Sequence, residues 1–137
     1  MKLTYILILA IILAACGEDN DDNVESCAQS NWVGTYTGTL NCDGDFTLDE
    51  GVDVTITADG SDAIVICYAS PSTKNCYLAI TPEGCDINND NTQSGGGVTV
   101  TINASLDGDN LTISEVVDAE VGSGVPSYTC TITATRN

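Results

Sequence analysis

Val98-Thr99-Val100-Thr101-Ile102-Asn103-Ala104-Ser105-Leu106 decides the fold class. Val98, Val100, Ile102, Ala104 and Leu106 occupy one phase of a two-residue period, and Thr99, Thr101, Asn103 and Ser105 the other. This is the pattern of a strand with one face in a core and the other in water, and its β-branched residues favour extended backbone. Asp107-Gly108-Asp109-Asn110 follows as a turn and leads into a second strand, Leu111 to Val117. Two such runs joined by a short Gly-containing turn predict an antiparallel hairpin.

Working outward, the same period recurs. On the carboxyl side Tyr128, Cys130, Ile132 and Ala134 alternate with Thr129, Thr131 and Thr133 after a Gly-containing loop, Glu120 to Pro126. On the amino side, strands are predicted at Cys76 to Thr81, Ala63 to Ala69 and Val52 to Ala58. Asn31 to Leu40 is predicted as the first strand, with Trp32, Tyr36 and Leu40 on one face beside Gly34 and Gly38. Asp86 to Gly97 carries Asn, Asp, Thr, Ser and Gly with little apolar content and reads as a polar loop. No stretch in this region carries a helical stripe. Short connections between successive strands favour an antiparallel meander of about 7–8 strands. The expectation is an all-β domain, a small barrel or half-barrel, with a β-sandwich as the alternative.

The core available to such a domain is thin. The 137 residues include one Trp, one Phe and five Tyr, so aliphatic residues must fill the interior and covalent staples are expected. Charge is one-sided: twenty Asp and Glu stand against three basic residues, Lys2, Lys74 and Arg136. A chain with so few cations cannot neutralise a phosphate backbone, so nucleic acid is excluded as a partner.

The amino terminus has a different composition. Lys2 precedes an apolar run from Leu3 to Leu13, followed by Ala14 and Ala15. That is the layout of a secretory signal peptide, and the run is too short to span a bilayer. Leu13-Ala14-Ala15-Cys16 resembles the bacterial lipobox, in which the cysteine receives a diacylglyceryl group and becomes the new amino terminus. The resemblance implies acyl chains such as palmitate on Cys16 and a membrane anchor. Glu18-Asp19-Asn20-Asp21-Asp22 then resembles the acidic export signal of surface lipoproteins in Bacteroidota, which implies an outer-membrane, cell-surface location. The expected division is therefore a signal peptide over residues 1–15, a lipidated Cys16 with a self-repelling acidic tether over 16–26, and an all-β domain over 27–137.

Setting Cys16 aside leaves an even number of cysteines, which in an exported domain predicts three disulfides. Cys67 and Cys76 flank one predicted hairpin loop and are expected to pair. If the first and last strands meet antiparallel, Cys42 comes opposite Cys130, leaving Cys27 for Cys85.

Few residues suggest chemistry. There is no His, which removes His-based triads and the commonest general base and metal ligand. Gly-x-Ser-x-Gly, phosphate-loop and dinucleotide fingerprints are absent. Asp43 with Asp45 and Asp107 with Asp109 lie in Gly turns, where Asp serves turn geometry. No enzymatic activity, no cofactor and no resident metal are expected. The calcium readings are Asp86-Ile87-Asn88-Asn89-Asp90, which has the first ligand spacings of an EF-hand loop but lacks its sixth-position Gly and terminal Glu, and, more loosely, the acidic tether.

Trp32-Val33-Gly34-Thr35-Tyr36-Thr37-Gly38-Thr39-Leu40, opening a β meander, resembles the lipocalin-like domains of small Bacteroidota lipoproteins. It departs from true lipocalins in its Trp-x-Gly order, where they have Gly-x-Trp. Neither their amino-terminal helix nor their Trp-packing Arg is expected, Arg136 being at the chain end. The resemblance implies a barrel closed at one end by Trp32 and a non-catalytic binding module for a small ligand or glycan. Tyr68, Tyr77 and Tyr128 are the candidate ligand contacts, with core filling as their other role. The alternative is a structural or protein-interaction surface protein with a packed interior.

Overall fold

The computed structural model describes residues 27–93 and 96–137; the signal peptide, the acylation of Cys16 and the acidic tether lie outside the described residues. The described chain forms one short helix, α1 (Gln29–Trp32), and eight strands. These are β1 (Gly34–Gly44), β2 (Leu48–Asp59), β3 (Ala63–Ala69), β4 (Lys74–Ile80), β5 (Asp86–Gln93), β6 (Val98–Asp107), β7 (Asn110–Ala119) and β8 (Tyr128–Arg136).

All eight belong to one sheet in the order β4-β3-β2-β1-β8-β7-β6-β5. Every pairing is antiparallel, so the chain is a meander whose first and last strands also pair. The sheet curls into a nearly closed barrel with its two free edges at β4 and β5. One continuous sheet replaces the alternative of two packed sheets.

Strand polarity assigns the connections to two ends. Helix α1, the turns at 60–62 and 108–109, the β4–β5 connection at 81–85 and Arg136 lie at one end. The connections at 45–47, 70–73 and 120–127 lie at the other. The first end is plugged. Trp32 and Tyr36 are fully buried, the Trp32 indole N–H donates to the Gly84 carbonyl at 3.0 Å, and the Tyr36 hydroxyl donates to the Trp32 carbonyl at 2.8 Å. Gln29 reaches across to the Ala63 carbonyl at 2.5 Å. Arg136 donates to the carbonyls of Asn31 and Val33 and to the Tyr36 hydroxyl. Its guanidinium also lies 4.9 Å from the centre of the Tyr36 ring, a cation–π distance.

Two expectations are corrected here. The strand begins at Gly34, because the Asn31 side chain accepts the Ala28 N–H at 2.9 Å and winds Gln29–Trp32 into a helical turn. A single helical turn thus precedes β1. An arginine also caps the Trp32 end, because β8 runs antiparallel to β1 and returns the chain end to it, placing Arg136 over Tyr36.

One further correction and one irregularity concern the sheet edges. Asp86 to Gln93 is strand β5, paired with β6 from Asp86↔Ser105 to Gln93↔Val98. Backbone pairing requires no apolar side chains, and buried Ile87 anchors the strand. Asp86 to Asp90, the stretch with EF-hand-like spacing, is therefore extended backbone. At the other edge, β4 buries Tyr77 and Ile80, three residues apart. A bulge with Ala79 at φ 56° resets the alternation there and leaves Leu78 71% exposed.

Three disulfides staple the barrel: Cys27–Cys85, Cys42–Cys130 and Cys67–Cys76. The first ties the β4–β5 connection to the start of α1. The second crosslinks the β1–β8 seam at a directly paired position. The third crosslinks β3 to β4, also at a paired position.

Candidate functional site

The plug at one end leaves the interior near the other end incompletely filled. A cavity of about 380 Å³ lies between β4 on one side and β6, β7 and β8 on the other. Ile80, Val100, Ile102 and Val117 give it an aliphatic wall. A second cavity of about 260 Å³ lies under the open-end loops, against Phe46, Tyr68 and Pro126. The two share Glu115 and Tyr128.

Glu115 is the polar centre of this end. It is 5% exposed, the one buried charged or polar residue among the described residues. Strand β7 places it there by phase, since Leu111, Ile113, Glu115 and Val117 all point inward. A buried carboxylate is stable only with hydrogen-bond donors around it. The Tyr77 hydroxyl donates to Oε2, the Tyr128 hydroxyl donates to Oε1 at 3.2 Å, and the Asn75 amide reaches Oε2 at 3.5 Å. Tyr68 packs on Tyr77, with ring centres 5.8 Å apart. Phe46 meets Tyr128 edge-on at 5.9 Å.

The phenols register this environment. Burial first, and then the negative charge of Glu115, push Tyr77 far above the ordinary tyrosine range. The same causes raise Tyr128 to about 12 and raise Tyr68. All three therefore stay protonated at neutral pH, and two of them spend their protons on Glu115.

The fold thus brings together Tyr68, Tyr77 and Tyr128, which lie on three different strands, and puts Glu115 among them. Tyr77 and Tyr128 line the larger cavity, and Tyr68 and Tyr128 the smaller. Of the disulfide cysteines, Cys42 and Cys130 floor the smaller cavity and Cys76 borders the larger. Sequence reasoning missed Glu115. Its signal was present: an acid on the apolar phase of a strand otherwise made of Leu, Ile and Val. Among the described residues no group of three Cys, Asp or Glu side chains converges to hold a metal ion. Glu115 is the carboxylate that lines both cavities.

No protein-family model matches the chain, and no curated protein matches it. Among solved structures, the chain is similar to fatty-acid-binding protein 1 of Echinococcus granulosus. That likeness has a TM-score of 0.40 at 15% identity, covering 78% of this chain and 98% of that one.

Proposed function

We propose that this chain is an exported, lipid-anchored, non-catalytic binding module that takes a small amphiphilic ligand into the open end of its barrel. The observation that carries the reading is the cavity of about 380 Å³ with an aliphatic wall and a hydrogen-bonded carboxylate at one side. Ligand sites combine apolar wall with placed polar groups that fix orientation, and here Ile80, Val100, Ile102 and Val117 stand beside Glu115 and two tyrosine hydroxyls. A fully packed interior, as a purely structural surface protein would have, does not need Glu115. Leu13-Ala14-Ala15-Cys16 supports the anchor, and the acidic run after it supports display on the outer face of an outer membrane. Several acyl chains on one cysteine give stable anchoring where a single chain is marginal.

Two measurements test this. A neutral, environment-sensitive apolar dye should bind the domain one to one with enhanced emission, and Val117→Phe, which fills the cavity, should abolish binding while far-UV circular dichroism is retained. Absent dye binding, or binding indifferent to Val117→Phe, would sink the ligand reading. For the anchor, Cys16→Ala should move the protein to the soluble fraction and remove the lipid mass; unchanged retention and mass would refute it.

A further inference from the structure

We infer that the open-end site selects amphiphiles whose polar head is a hydrogen-bond-donating cation, an amine, over those that carry a carboxylate. The inference deepens the proposed ligand reading and rests on it. It comes from which hydrogen-bonding roles are already taken. Tyr77, Tyr128 and Asn75 all direct donors at Glu115. A carboxylate offers about four acceptor positions, so three donors leave one open, on the Oε1 side that Tyr128 alone contacts. At Glu115, what an incoming head group meets is therefore acceptor capacity.

No cation lines either cavity to receive an anionic head. Arg136 is committed to the plugged end by its bonds to Asn31, Val33 and Tyr36. Lys74 is exposed at the start of β4. A carboxylate ligand in this cavity would face Glu115 as a like charge, whereas an ammonium would complete the carboxylate's hydrogen bonding. The acid excess of the whole chain acts in the same direction, drawing cations toward the mouth and repelling anions. The aliphatic wall of Ile80, Ile102 and Val117 accommodates the apolar body.

Matched eight-carbon probes test the head group alone. By calorimetric titration at neutral pH, octylamine should bind at least about tenfold more tightly than octanoate, with octanol between them. In Glu115→Gln, whose surface charge is otherwise unchanged, the amine-to-octanoate ratio should fall several-fold, to the residual preference that the acid excess of the chain leaves; circular dichroism and Trp32 fluorescence verify that the variant folds. On the unaltered protein, octylamine should shift the near-ultraviolet tyrosine bands as it enters the hydrogen bonding of Tyr77 and Tyr128, and octanoate at equal concentration should not. Equal affinities, a ratio undiminished in Glu115→Gln, or no tyrosine shift would overturn the inference. Failure of the neutral dye as well would instead bring down the ligand reading beneath it.

Discussion

Gly38→Ala should be among the most destabilising single-methyl additions to the domain. Gly38 lies in β1 opposite Ala134 of β8, on the seam between first and last strands. A Cβ built on it would stand 2.5 Å from the Ala134 Cα and 2.7 Å from the Thr133 carbonyl carbon, and closer still to that carbonyl's oxygen. These are backbone atoms, so no rotamer change relieves the clash. The strands must part locally by about 1 Å, which takes the nearest ladder bonds beyond hydrogen-bonding distance. Two lost bonds at about 1 kcal/mol each, with about 1–3 kcal/mol of overpacking strain, give ~3–5 kcal/mol. The reduced freedom of the unfolded chain offsets about 0.4–1 kcal/mol of this, so the net loss is ~2–4.6 kcal/mol. Gly51→Ala is the control, since Gly51 lies in β2 with nothing within 4 Å of its added Cβ. Urea unfolding of the disulfide-intact protein, followed by Trp32 fluorescence, gives both values. A Gly38→Ala variant within about 0.5 kcal/mol of the parent, the usual range for an innocuous surface change, would refute the close-approach argument. So would a Gly51→Ala variant equally impaired.

Alkaline titration addresses the phenols. Tyr36, Tyr68, Tyr77 and Tyr128 all have raised pKa values, Tyr128 to about 12. Below about pH 10 both folded and unfolded states are protonated and the stabilisation is fully present; above it the unfolded state loses protons first, so stability falls as pH rises toward the folded values. Phenolate absorbance of the domain should stay flat through pH 10 and rise together with loss of the circular dichroism signal; a rise centred near 10 with the fold intact would contradict the burial of these rings. Removing disulfides separates seam from hairpin. Chain-entropy arguments assign ~4.6 kcal/mol to Cys42–Cys130, which closes 88 residues, and ~2.6 kcal/mol to Cys67–Cys76, which closes 9. The double alanine variant of the first pair should therefore lose about 2 kcal/mol more in urea unfolding, and the reverse order would sink the reasoning.

The strand pattern was legible because a barrel wall imposes a two-residue period on any chain that folds into it, and β6 and β7 obey it almost residue by residue. The pairing of Cys42 with Cys130 could be reached from the same pattern, since antiparallel first and last strands bring those positions opposite one another. What escaped were places where backbone geometry overrides side-chain periodicity. Asp86 to Gln93 pairs through its backbone, which composition does not reveal. In β4 the bulge at Ala79 exchanges which residues face inward, so plain alternation from Tyr77 would bury Ala79 and expose Ile80, the opposite of what is found. Arg136 reaches the plug only because β8 returns the chain end to α1, a consequence of topology.

Glu115 was hidden in another way: the pattern that defines β7 also contains its exception. An acid on the inward phase opposes the burial that forms the strand, because an apolar residue of similar size would fill the interior without needing Tyr77, Tyr128 and Asn75 as donors. Packing therefore does not account for it. Its neighbours fit a site better than a core, since the two cavities meet at this side chain and the three tyrosines selected from sequence line them. At the plugged end, by contrast, the hydrogen bonds of Trp32, Tyr36 and Arg136 run mainly to backbone carbonyls, and those of Trp32 and Arg136 join α1 and its flank to distant segments of the chain. Those bonds hold the fold. The bonds around Glu115 join side chain to side chain on three strands and border the two cavities, the arrangement that the proposed ligand site rests on.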